Sequence, residues 1–236
     1  MDAIDRTKYY IPSKFQMVKE VLGILEAGKL VFDMPNLLKC QKGDGTRIIV
    51  LPGFATDDIF TFPLRKFLEN IGYKPEGWGL GNNHGDVPVL LDLMNQKIRE
   101  MVKENQEKII LIGWSLGGYL ARETARDNQD IVKQVITLGS PIIGGPKYTS
   151  IADIYSKRHN VNIDQLEKEI DERFNNPLKM PIFSIYSKND NVVSWQACID
   201  LYSPNVINQE IDATHIGLIA NSEAYSYISK FLAMTR

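Results

Sequence analysis

Short apolar runs and longer stretches of helical spacing alternate along most of the chain. Ile48-Ile49-Val50-Leu51, Ile109-Ile110-Leu111-Ile112 and Val132 to Leu138 are compact runs rich in β-branched residues, while Pro181 to Tyr186 restarts the strand rhythm and Val206 to Ile211 is the expected last strand. Such runs predict central strands of a parallel sheet, which is covered on both faces. One more short strand is expected within Ile71 to Leu80, ending in Gly77-Trp78-Gly79-Leu80-Gly81. Between the strands, the spacing predicts helices over Phe62 to Glu69, Val89 to Glu104, Tyr119 to Ala125 and Glu223 to Leu232. Thr61 is the expected cap of the first of these, with Pro63 in its first turn, where proline is tolerated. This rhythm predicts an α/β fold built on a mostly parallel, doubly wound sheet of about six strands.

Two stretches stand outside the rhythm. From Pro12 to Ala27, apolar residues at Phe15, Val18, Leu22 and Leu25 recur at helical spacing, and Gly28 is a plausible stop. One face of this helix should be buried. A membrane-surface or partner face would have the same spacing, but the polar positions mix Lys and Glu, which favours a helix covering the edge of the main sheet. Residues 142 to 178 carry Gly144-Gly145-Pro146 and then charged, weakly periodic sequence. A connection this long between strands points to structure of its own, most simply a helical cap inserted into a single domain spanning residues 1 to 236.

Composition narrows the class. A chain of 236 residues can bury one substantial core, and a net charge of −2 gives no basic footprint for nucleic acid. Cys40 and Cys198 are far apart and belong to no Cys-x-x-Cys or paired-His spacing, so reduced structural thiols are expected, without metal or disulfide. The start, Met1 to Arg6, lacks the basic-then-apolar pattern of a secretory leader, and no apolar run is long enough to span a membrane. These features predict a cytoplasmic protein.

The chemistry concentrates where strands end. Ile109 to Ile112 breaks into Gly113-Trp114-Ser115-Leu116-Gly117 and then into a helical run, which is the strand, turn and helix context of a nucleophile elbow. In that context Ser115 Oγ points away from the sheet and the Leu116 N–H faces the same spot. Ile48 to Leu51 stops at Pro52-Gly53-Phe54, where glycine allows a sharp turn and the Phe54 N–H becomes a second candidate oxyanion donor. Asp190 and His215 also follow strand ends, at the edge where ligands bind in open α/β sheets. The three types suit acyl transfer: a hydroxyl attacks, an imidazole moves the proton, and a carboxylate orients the imidazole. Asp212 is a weaker candidate for the acid and His84 for the base.

With those residues in view, the sequence resembles the α/β-hydrolase superfamily, in its small lipase- and esterase-like branch. The similar segments are Leu51 to Phe54, Gly77 to Gly81, Gly113 to Gly118, Leu138 to Pro141, Asp190 to Trp195 and Thr214 to Leu218, within roughly residues 47 to 232. The resemblance implies a serine hydrolase without cofactor or metal, with the triad Ser115, Asp190 and His215 and the N–H groups of Phe54 and Leu116 as oxyanion hole. Pro52 stands where many lipases have His, and no clear pair of strands precedes Arg47. The expected substrate is a small-molecule or lipid acyl ester, cleaved through an acyl-enzyme on Ser115. Trp114 and Trp195, with Phe54, are the aromatic candidates for an apolar acyl pocket. Thioesterase and acyltransferase chemistry use the same machinery, and a ligand-binding receptor on a hydrolase scaffold is the reading from another class.

Overall fold

A computed structural model describes residues 5–105 and 107–235. Met1 to Ile4, which bear on the question of a leader, lie outside the described residues. Six strands, β1 (Arg47–Leu51), β2 (Lys74–Gly77), β3 (Ile109–Trp114), β4 (Val132–Leu138), β5 (Ile182–Tyr186) and β6 (Val206–Glu210), pair in parallel in the order β2-β1-β3-β4-β5-β6. The order reverses between β1 and β3, and a crevice opens there beyond the carboxyl ends of the strands. Pro75 is accommodated because β2 is an edge strand.

Alternate residues of β1, β3, β4 and β5 feed two cores. Ile48, Val50, Ile110 and Ile112 pack with Leu64, Phe67 and Leu68 of α2 (Asp58–Asn70) and with Tyr225, Ile228 and Phe231 of the terminal helix. Ile49, Leu51 and Leu111 face the other way, onto Leu90, Met94 and Ile98 of the long helix Val87–Asn105 and Leu120 and Ala121 of the helix that follows β3. We number these helices in chain order: α1 (Gly23–Leu37), α2, α3 (Val87–Asn105), α4 (Leu116–Asp127), α5 (Ala152–His159), α6 (Ile163–Arg173) and α7 (Ser222–Met234). Among the described residues, no helix is long and apolar enough to cross a membrane.

The structure departs from the apolar pattern in three places. Helix α2 begins before Phe62, because the Asp57 side chain accepts from the Ile59 N–H at 2.9 Å and caps it; Thr61 is buried inside the helix and Pro63 lies in its second turn. Gly28 does not end the N-terminal helix, which runs as a 3-10 stretch over Lys14–Leu22 and continues as α1 to Leu37. Nor is its predicted face buried: Phe15, Val18 and Leu25 are 90, 75 and 71% exposed. The Leu22 side chain lies outside the described set. This segment packs on α7 and on the turn Gly217–Ala220 instead of a sheet edge, and it turns Glu20, Gly23, Glu26 and Leu30 inward. Periodicity reveals that a helix has two faces; it does not say which one a buried carboxylate will claim.

One buried ion pair ties α4 to the segment after β5. Arg122 and Asp200 are both about fully buried and bonded to each other, and Asp200 also accepts from the N–H groups of Tyr202 at 2.9 Å and Ser203 at 3.1 Å. Burial pushes the Asp200 carboxyl upward, but the Arg122 charge and these bonds outweigh it and hold it below the ordinary range. Asp200→Ala leaves the guanidinium buried without its partner and should lower stability by about 3–5 kcal/mol in urea unfolding near neutral pH. Because the folded carboxyl is held low, this contribution is complete above about pH 4 and is lost as pH falls through the folded value. The difference between wild type and variant should therefore shrink in acid.

Candidate active site

Ser115 joins β3 to α4 at φ 55° and ψ −127°. A residue with a side chain holds that conformation only under constraint. The constraint is the packing around it. A Cβ on Gly113 would run into the Gly117 carbonyl and the Gly118 backbone, and one on Gly117 would run into the carbonyls of Leu51 and Pro52. Strand β3, helix α4 and the end of β1 thus close to backbone contact, and the Ser115 N–H donates to the Leu138 carbonyl at 2.8 Å. The hydroxyl is left at the N-terminus of α4, where unpaired N–H groups favour negative charge.

His215 Nε2 lies 3.0 Å from Ser115 Oγ, and His215 Nδ1 lies 2.7 Å from Asp190 Oδ2. An ionised carboxylate only accepts, so Nδ1 carries the imidazole proton and Nε2 is free to accept from the hydroxyl. Asp190 is fixed from the other side, where Oδ1 accepts from the N–H groups of Val192 at 2.8 Å and Val193 at 2.7 Å. Burial alone would lower the His215 pKa. The charge and hydrogen bond of Asp190 and the charge of Glu20 outweigh it, and the value is raised above 6.5.

Other sequence candidates fall in distinct places. Gly53 lies against Trp114 and Ser115, which brings Phe54 to the rim of the same crevice. In the turn that follows Gly53, the positive φ falls on Ala55, at 59°. Among the described residues, no hydrogen bond is made by the N–H of Phe54 or of Leu116. Trp114 is not in the cavity wall: it donates Nε1 to the His215 carbonyl at 3.0 Å and packs behind the ring. Trp195 stacks on Tyr186 under Lys188 and also lies away from the cavity. His84 is exposed, with Nδ1 accepting from the Asp86 N–H. Asp212 accepts from Asn189 at 2.6 Å and makes no bond to His215.

Sequence reasoning missed three groups that hold this arrangement. Glu20, 3% exposed, accepts from Asn191 N–H at 3.1 Å and Asn191 Nδ2 at 3.0 Å, and through its other oxygen from the Ile216 N–H at 2.8 Å. One carboxylate therefore ties the residue after Asp190 to the residue after His215. Glu26 accepts from Thr214 N–H and Asn221 Nδ2, both at 2.9 Å, and holds the His loop from its other end. Gly139, at φ 54°, ends β4 where a Cβ would stand 3.1 Å from both Asp190 Oδ2 and His215 Nδ1. No motif announces the two glutamates, because their partners, backbone N–H groups and two Asn side chains, lie 171 to 196 residues away.

A cavity of about 780 Å³ opens beside Ser115. Phe54 and Leu116 line it near the hydroxyl; α5, α6 and the turn between them contribute Tyr155, Val161, Leu166 and Ile170. Its polar side carries Glu123, Asp127 and Arg173, with Arg173 bonded to both acids and so pinning α6 to α4.

This sheet order, with a strained serine after β3 facing a histidine loop after β6, defines an α/β-hydrolase fold. Residues 86–203, half of the chain, match the family model of the PGAP1-like alpha/beta domain, and the chain belongs to that family. Solved structures with the same fold include a mature-form lipase of Bacillus licheniformis, with 16% identity, TM-score 0.64 and coverage of 82% of this chain and 94% of that one. An alpha/beta superfamily hydrolase of Oenococcus oeni has 19% identity and TM-score 0.61, covering 82% of this chain and 93% of that one. An esterase of Pyrococcus furiosus has 18% identity and TM-score 0.59, covering 81% and 83%. No curated protein matches the sequence.

His215 should titrate above 6.5 when followed by NMR. Glu20→Gln removes one of the charges that raise it and should move the titration to lower pH; Asp190→Asn should move it further. An unchanged titration in Glu20→Gln would reduce Glu20 to a loop clamp without electrostatic effect on the imidazole.

Proposed function

We propose that the protein is a serine hydrolase that cleaves acyl esters through an acyl-enzyme on Ser115. The observation that carries this reading is the continuous hydrogen-bonded line from Asp190 through His215 to Ser115, at 2.7 and 3.0 Å. Ser115 Oγ attacks the ester carbonyl while its proton passes to His215 Nε2. The resulting oxyanion is met by the N–H groups of Phe54 and Leu116, at the positive end of α4. Collapse expels the alcohol, which takes the proton from Nε2. Water then attacks the acyl-enzyme by the same route in reverse, returning the hydroxyl and releasing the acid. Asp190 holds the tautomer and offsets the imidazolium charge as it forms.

An ester is favoured as the bond cleaved because proteins of this fold include a lipase and an esterase. An apolar acyl group is favoured because Leu116, Val161, Leu166 and Ile170 line the cavity beside the hydroxyl. In this reading α5 and α6 form a cap whose inner face measures the acyl chain.

A fluorophosphonate probe should label the chain once, and Ser115→Ala should abolish labelling. Labelling that survives in the variant would remove Ser115 from the mechanism. Asp190→Asn should lower kcat several hundred-fold or more, in line with an effect of about 10⁴ where the orienting carboxylate of a serine protease is lost, while Asp212→Asn costs less than about tenfold. Because the base must be neutral to accept the proton, kcat/KM should fall as pH drops through the raised His215 value. In a p-nitrophenyl ester series, Leu166→Trp should shorten the longest chain accepted and leave the acetate ester turned over as in wild type.

A further inference from the structure

The N-terminal helical segment has a second face that the proposed hydrolase chemistry does not use. In the 3-10 stretch Lys14–Leu22, residues three apart eclipse one another, so Phe15, Val18 and Val21 form a single outward row, 90, 75 and 62% exposed. The row continues on α1 through Leu25 and Phe32, 71 and 84% exposed, which are seven residues apart and so nearly in line on an α-helix. Lys29 falls between them on the same side. No other part of the described chain covers this row.

The fully exposed charges of the segment itself are of one sign, with Asp33 and Glu223 beside Lys29 and Lys39 where it meets α7. Exposed on this segment and just after it are Lys14, Lys19, Lys29 and Lys39. Its acids are withdrawn: Glu20 and Glu26 point inward to the loops of Asp190 and His215, and Asp33 is half-buried. The basic excess is local, since the whole chain carries −2. Lys14 is shared with Asp153 at 2.9 Å, in an exposed pair that water and salt weaken.

We infer that this face docks on an anionic lipid surface. A convex row of Phe, Leu and Val flanked by lysines is the composition of a helix that lies in a membrane interface. A protein partner is less well matched, because protein interfaces favour Arg and are depleted in Lys, whereas residues 14–39 hold four Lys and no Arg. The occupant is therefore a bilayer surface bearing acidic headgroups, with the apolar row seated among the acyl chains and the lysines at the headgroup level.

The test is sedimentation of the full chain with phosphatidylcholine vesicles, with and without phosphatidylglycerol. Wild type should bind the mixed vesicles at least about tenfold more tightly than the neutral ones, and high salt should remove most of the difference. Phe15→Ser/Leu25→Ser/Phe32→Ser should abolish binding to both, and Lys19→Glu/Lys29→Glu should abolish the preference for the mixed vesicles. Should the triple variant lose its circular dichroism spectrum, the lysine pair decides, since those side chains are exposed and bear no core contacts. Ser115→Ala should bind as wild type, which separates docking from the hydrolase reading. Wild type remaining in the supernatant, or both variants binding unchanged, overturns the inference. So does light scattering that shows a lipid-free dimer dispersed by the triple variant, which would make a second copy of the chain the occupant.

Discussion

The site depends on one backbone constraint, the left-handed conformation forced on Ser115. Such a conformation costs on the order of 1–3 kcal/mol, and it survives only because relaxing it would push the backbones around Gly113 and Gly117 out of contact. The same contact that strains the serine also draws the end of β1 against it, so that Phe54 arrives beside Leu116 with no further device. Sheet order completes the placement. With β3 between β1 and β4, the donor groups at the end of β1 and the Leu138 carbonyl at the end of β4 flank the same turn.

The second dependence runs through the histidine loop, which follows edge strand β6 and has no neighbouring strand beyond it. A loop at an edge needs other support. Here it comes from the N-terminal segment, where Glu20 links the Asp190 and His215 loops and Glu26 secures Thr214 and Asn221. The same segment reaches α6 earlier in its course, where Arg6 bonds Asp171 at 2.7 and 2.8 Å and Glu167 at 2.8 Å. The part of the chain that adds no strand to the sheet therefore touches both the Asp190 and His215 loops and the helices over the cavity.

What could be read in the sequence follows from the range of the interaction involved. Strands β1, β3, β4 and β5 are legible because each is a local run rich in apolar residues, β6 because it continues the strand rhythm, and Ser115, Asp190 and His215 are legible as chemistry-bearing residues just past strand ends. Their mutual distances depend on sheet order, which no local pattern contains. Helix α2 starts earlier than the apolar spacing predicts because its cap, Asp57, precedes an exposed first turn of Ile59 and Phe60 that does not fit a buried stripe. Trp114 and Trp195 are pocket candidates on type and position alone. Their rings serve instead as a backing for His215 and a lid on Tyr186.

The orientation of the N-terminal helix shows how such a contest is decided. Turning Phe15, Val18, Leu25 and Phe32 inward would gain about 1.5–3 kcal/mol for each side chain fully buried. Keeping Glu20 and Glu26 inward retains five hydrogen bonds to charged groups, each worth about 1.5–3 kcal/mol, including those that hold the N–H groups of Thr214 and Ile216. The two sums are of similar size, so hydrophobic periodicity alone does not fix the phase of this helix. The backbone donors of the Asp190 and His215 loops tip the balance, because Glu20 and Glu26 are the acceptors they bond. An apolar face left in water by that choice is a standing cost to the isolated chain, and it is relieved only when something apolar covers it.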